Sequence, residues 1–198
     1  MKEACKKKRI FAYLIDIFIL FVFLGVGAML TNVSDNEKAL RLELSEMNEK
    51  AVLRETSVTN YLFHLSEISQ DIDREHAATG FINLVFVFIY FVFIPFFMEG
   101  KTFGKAIMKI RVVDEEGNDA SIHSLFIRNT ILNGLLYLIV SLLCIYLIPG
   151  SIYLFVISIL GLIQLILVLF CIFMVLYRKD SVGLHEKLSH TRVIEMIV

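Results

Sequence analysis

Four apolar runs, each long enough to cross a bilayer, constrain this chain more than any other feature. They cover residues 10–30, 77–97, 125–148 and 151–177. A helix needs about 20 apolar residues to span the hydrocarbon, and only helices or closed barrels pair all their backbone groups inside lipid. Pro149-Gly150 separates the last two runs and cannot continue a helix, so a tight turn between antiparallel spans is predicted. The predicted fold class is an all-α membrane protein, a four-helix transmembrane bundle, with the lipid bilayer as its first partner. Composition agrees: 57% of residues are hydrophobic, against about 45–50% in soluble domains. The net charge of -1 leaves no basic field for nucleic acid. Cys5, Cys144 and Cys171 are an odd count in or beside apolar runs, which excludes a secreted disulfide framework.

Orientation follows from the basic residues in the loops. Lys2, Lys6, Lys7, Lys8 and Arg9 precede the first run; Lys101, Lys105, Lys109 and Arg111 follow the second; Arg178, Lys179, Lys187 and Arg192 follow the fourth. All three groups belong in the cytosol, both termini included. The segment between the first two runs is acidic and belongs outside. The basic start and the Val26-Gly27-Ala28 end of the first run imitate a cleavable signal peptide. The run is long for one, and Asp16 inside it suits a permanent helix.

Residues 34–76 form an extracytoplasmic helical insertion. Ser34-x-x-Glu37 is a capping box, followed by Leu40, Leu44, Met47 and Ala51 at helical spacing. A second apolar set runs from Val58 to Ile72, so two amphipathic helices are expected to pack antiparallel on the ends of the first two spans. Residues 98–124 form a cytosolic loop in which Met108, Ile110 and Val112 alternate with Lys109 and Arg111 before Asp114-Glu115-Glu116-Gly117-Asn118, the pattern of a strand turning into a short β-hairpin.

Few residues carry chemistry. Gly100-Lys101-Thr102-Phe103-Gly104-Lys105 has three residues between its glycines, where a phosphate loop needs four, and Ala106 follows the lysine. His185 and His190 are five apart, so on a helix they diverge by about 140° and cannot share a zinc as a protease pair does. No catalytic constellation, metal cluster or cofactor motif is found, so no enzyme activity is expected. Asp16 and Arg128 are the ionisable residues inside the apolar runs. Asn129 and Asn133 lie one turn apart on one face, as interhelical glue or as part of a ligand site. Arg9 and Asp16 are seven apart, about 10 Å along a helix, so Arg9 is expected to reach out to the headgroups and Asp16 to face Arg128, with Asn129 or Asn133 completing the hydrogen bonds.

Arg9-x-x-Ala12-x-x-Ile15-Asp16, Gly100-x-Thr102-x-Gly104-Lys105 leading to Arg111-Val112-Val113-Asp114, Arg128-Asn129, and Leu184-His185-Glu186-x-Leu188 with Thr191 together resemble the RDD family of bacterial membrane proteins. Arg9 and Asp16 match the arginine and the first aspartate that name the family, and Glu186 stands where a late His-Asp motif has aspartate. The outer helical insertion lies outside the likeness. The resemblance implies a bacterial cell membrane and a role in moving a small ion or solute, with cation/proton exchange as one form. The alternative is a non-enzymatic scaffold or accessory subunit, recruiting a membrane-protein partner or further copies of itself through its outer helices and cytosolic loop.

Overall fold

The computed structural model describes residues 2–29, 33–178 and 181–196, without the side chains of 26–29. Leu30, at the end of the first predicted run, and Lys179 of the C-terminal basic group lie outside the described residues. Helix α1 is Lys6–Met29, α2 Asp35–Val52, α3 Val58–Glu75 and α4 Ala77–Phe88. A π-helical turn, Ile89–Phe93, joins α4 to α5 (Ile94–Phe97), and the short α6 (Phe103–Ile107) leads to strand β1 (Ile110–Asp114). There follow α7 (Ile122–Leu132), α8 (Leu135–Leu147), α9 (Gly150–Tyr177), α10 (Leu184–Ser189) and β2 (Thr191–Glu195).

Among the described residues, Ala77–Phe97 and Gly150–Tyr177 are each long and apolar enough to cross a membrane. The run 125–148, expected as one straight span, is instead broken: α7 and α8 meet at 71° and count as a third crossing only if taken together. The break falls at Asn133-Gly134, where Gly134 has φ 65°, a left-handed conformation that glycine adopts without the Cβ clash. A break within an apolar layer exposes backbone groups that must find partners. Gln164 of α9 meets that need by donating Nε2–H to the Ile131 carbonyl at 2.8 Å.

The other irregular span has a similar cause. Pro95 has no N–H to give the Phe91 carbonyl four residues back, and the chain passes through the π-helical turn just before it. The freed Phe91 carbonyl accepts from Asn129 Nδ2 at 2.7 Å, which ties α7 to this turn.

The two outer helices form as expected, N-capped by Ser34 and Ser57. They pack on each other, but the buried face of α3 (Ser66, Ile68, Gln70) rests on the α8–α9 turn rather than on the ends of the first two spans. Gln70 Nε2 donates to the Ile145 and Ile148 carbonyls at 2.8 and 2.7 Å, and the Ser66 hydroxyl sits between the Gly150 carbonyl and the Leu154 N–H. Tyr153 Oη donates to Asp73 at 2.7 Å. The two Gln70 bonds satisfy the Ile145 and Ile148 carbonyls at the C-terminal end of α8, where the helix leaves such groups without partners.

The expected strand exists, but not as half of a local hairpin. β1 pairs antiparallel with β2 from the chain's far end, in the register Ile110↔Glu195 to Asp114↔Thr191. After the turn only Asp119 bridges back, to Val113, because Ser121 then caps α7 and no apolar alternation follows. Thr191-Arg192-Val193-Ile194 supplies the β-branched partner. Ala4 N–H donates to the Val193 carbonyl at 3.0 Å, so both chain ends and β1 gather at one end of the molecule, with α2 and α3 at the other. Buried Ala12, Phe91, Val112, Leu125 and Val193 belong to the core that joins the sheet to the helices.

Candidate functional site

Asp16 is 1% exposed in the middle of α1 and is held by donors from two later segments. Its Oδ1 accepts from Tyr90 Oη at 2.7 Å and from the Gly104 N–H at 2.8 Å; Oδ2 accepts from Thr102 Oγ1 at 2.6 Å. Thr102 also N-caps α6, and that cap aims the Gly104 amide at the carboxylate. Gly104 must lack a side chain, since a Cβ there would overlap the Ala12 carbonyl oxygen and press on Asp16 itself. Gly100, at φ 82°, makes a close approach of another kind, its carbonyl accepting from the Val112 N–H at 2.9 Å. The stretch 100–105 is therefore a lock that fastens α6 onto α1. Lys105 Nζ completes it, 3.2 Å from Thr102 Oγ1 and 3.9 Å from Asp16 Oδ2.

A second cluster joins the chain's two ends. Glu186, 1% exposed on α10, accepts from Arg9 at 2.6 Å and Arg128 at 3.5 Å, and its other oxygen takes the Gly183 N–H at 2.8 Å, capping its own helix. Arg9 also donates to the Ser181 carbonyl at 2.6 Å, and Arg128 to Thr191 Oγ1 at 3.1 Å. Burial raises the Glu186 carboxyl, but the charges of Arg128 and Arg9 outweigh it and leave it at about 2, below the usual 4.5. Two expectations change here. Arg9 turns inward to Glu186 instead of outward to headgroups, because the tail helix brings a carboxylate to it. Asp16 and Arg128 do not pair, each being engaged by partners that lie far away in sequence.

Asn129 uses both its Nδ2 hydrogens, on the Phe91 and Leu125 carbonyls, and its Oδ1 accepts from Asn133 Nδ2 at 2.6 Å. That fits the glue reading for Asn129. Asn133 differs, since its buried Oδ1 has no partner. Arg111 lies apart from both clusters, on β1, donating to Asp119 at 2.8 Å.

Between α1, α7, α9 and α10 lies a cavity of about 430 Å³ that gathers the sequence-predicted residues Arg9, Asp16, Lys105, Arg128, Asn133 and His185. Burial, followed by the positive charge of Arg128, lowers His185 from 6.5 to about 3, so it is neutral at physiological pH. Unfolded chains protonate this imidazole near 6.5 while the folded protein does not, so stability is full above 6.5 and falls as pH drops toward 3. Glu186 adds a loss of the same sign below 4.5. Wild type is expected to lose about 2 kcal/mol between pH 7 and pH 5 through His185. In thermal melts, His185→Phe should flatten that part of the slope, and an unchanged slope would remove His185 as its source.

Tyr90 and Ser181 give no signal in the sequence, whereas Gln164 stands out as a polar residue in an apolar run. Tyr90 is an aromatic residue in an apolar run, and Ser181 acts through its carbonyl. Among the described residues no group of histidine, cysteine, aspartate and glutamate side chains could hold a metal ion. No curated protein and no solved structure matches the chain. The model of the RDD family matches residues 6–190, taking in both ends of the Arg9–Glu186 clamp and the whole Asp16 lock; the chain belongs to the RDD family.

Proposed function

We propose that this protein binds and moves a small solute across a membrane, with the charged cavity as its binding point. The observation that carries the reading is the cavity's position beside the α7–α8 break, with the unpartnered Asn133 Oδ1 next to it. Discontinuous helices serve transporters by bringing backbone and polar groups to a solute within the bilayer. In this reading α1 is the first of four crossings, and its exposed Phe11, Phe18 and Phe21 face lipid. In the same reading both termini and the loop 98–124 face the cytosol of a bacterial cell; the support is that the basic groups lie at the sheet end and the acidic helices at the other, as the positive-inside rule asks. The reading is non-enzymatic. Cation or proton exchange at Asp16 would require Tyr90, Thr102 and Gly104 to release it, and the basic lining favours an anionic solute over a cation.

A second reading, a scaffold or accessory subunit, has one observation in its favour: the Arg9–Glu186–Arg128 cluster is closed on itself like a structural tie. Its partners would be another membrane protein or a second copy of this chain. Flux in proteoliposomes separates the two. Gradients of Na⁺, K⁺, H⁺ and small anions are applied to wild type, Asp16→Asn and Lys105→Gln. Transport predicts flux that Lys105→Gln lowers about tenfold, the loss of one buried charge contact. Absence of flux in every gradient favours the scaffold.

A further inference from the structure

The lining of the cavity is amphiphilic. Arg9, Lys105 and Arg128 line it together with apolar residues that include Leu14, Ile172 and Leu176. Leu14 is 56% exposed and Ile172 42% exposed, so the apolar wall formed by α1 and α9 is open to the outside of the molecule. The basic part is not neutralised. Asp16 already accepts from three donors, and Glu186 serves both Arg9 and Arg128, so three cations stand against two carboxylates among the described residues. His185 lines the same space, and its buried Nδ1 has no partner. Such an arrangement suits a negative head carried on an apolar chain.

We propose that the cavity holds an anionic membrane lipid, its phosphate head against Lys105, Arg9 and Arg128 and the first part of an acyl chain between α1 and α9. This names the ligand class of the site in the functional reading, and it rests on that reading only in taking the cavity as a ligand site. An acyl chain moving from bilayer to cavity gains no hydrophobic free energy, because lipid is as apolar as the wall. Selectivity therefore resides in the head group, and the observable is a preference for anionic over zwitterionic lipid. Lys105 is the best probe, since its Nζ lies 3.9 Å from Asp16, a looser tie than the one between Arg9 and Glu186 at 2.6 Å.

The sequence has no tryptophan, so Leu14→Trp places a single fluorophore on the cavity wall. The protein is reconstituted in mixed phosphatidylglycerol and phosphatidylcholine vesicles in which one lipid or the other carries brominated chains that quench tryptophan. Brominated phosphatidylglycerol is expected to quench at about tenfold lower mole fraction than brominated phosphatidylcholine. Phe155→Trp, on an exposed face near the start of α9, should show no preference. Lys105→Gln in the Leu14→Trp background should cut the preference about fivefold. Equal quenching by the two lipids at Leu14→Trp overturns the proposal without needing any charge variant, and so does a preference that Lys105→Gln leaves intact. Loss of the preference on adding soluble glycerol 3-phosphate would assign the site to a free phosphate and also overturn it. Flux in the same vesicles is read separately: preference without flux upholds the lipid site and ends the transport reading, and flux without preference does the reverse.

Discussion

Gly104→Val is expected to destabilise the protein by about 3 kcal/mol, the upper end of the usual cost of overpacking. The added carbons would meet the Ala12 carbonyl oxygen and the Asp16 carboxylate, and neither can retreat. Backbone in the middle of α1 cannot shift without breaking its own ladder, and Asp16 is fixed by Tyr90 and Thr102. Seating α6 elsewhere would strip the carboxylate of two donors in a buried site, where each unmade hydrogen bond costs about 1–3 kcal/mol. Thermal unfolding in detergent is the measurement, with Tm expected to fall by about 10 °C. Gly161→Ala is the control. A Cβ at that position meets Tyr137 only at ordinary contact distance, 3.9 Å, and Tm should hold within about 2 °C. Equal shifts in the two variants would mean that α6 is not locked to α1 as described.

The second large effect is expected at Glu186. Glu186→Ala leaves buried Arg128 and partly buried Arg9 near each other without the carboxylate between them, and removing one partner of a buried ionic cluster costs about 3–5 kcal/mol. It also removes the bond to the Gly183 N–H that starts α10. Arg128→Leu in the same chain takes away one of the two stranded charges, so the double variant should be more stable than Glu186→Ala alone. Additive losses would show that the arginines do not share the carboxylate.

The parts of this fold that follow from local pattern were legible in the sequence. Apolar length marks the spans, Ser34 and Ser57 mark the outer helices, and alternation marks β1. What could not be read is how distant segments choose each other. Asp16 announces itself as a charge in an apolar run, but Tyr90 lies 74 residues on and Thr102 86. Nothing in the spacing of α1 says that a tyrosine and a threonine, rather than Arg128, will answer it. Arg9 was misdirected for a related reason. Side-chain lean along α1 points it outward, and that preference yields to a carboxylate delivered by α10. The α7–α8 break was hidden because a lone glycine in an apolar run costs a helix only about 1 kcal/mol. Gln164, on another helix, supplies a partner that the kinked form needs. The resemblance named Thr102, Gly104 and Glu186 as motif residues without saying what they touch, and their shared role as clamps on α1 appears only in three dimensions.

That α1 is clamped by Glu186 and Ser181, and that Ala4 pairs with Val193, fixes an order of events during synthesis. Helix α1 is made while its partners have not yet been translated, so Arg9 must wait for a residue made more than 170 positions later. Contacts of such long sequence separation form slowly, because the intervening chain must first be brought to order. Closing of this clamp is therefore a late step in assembly. Until residue 186 leaves the ribosome, the nascent chain is an unlatched set of helices, and quality-control proteases have that interval in which to act on it.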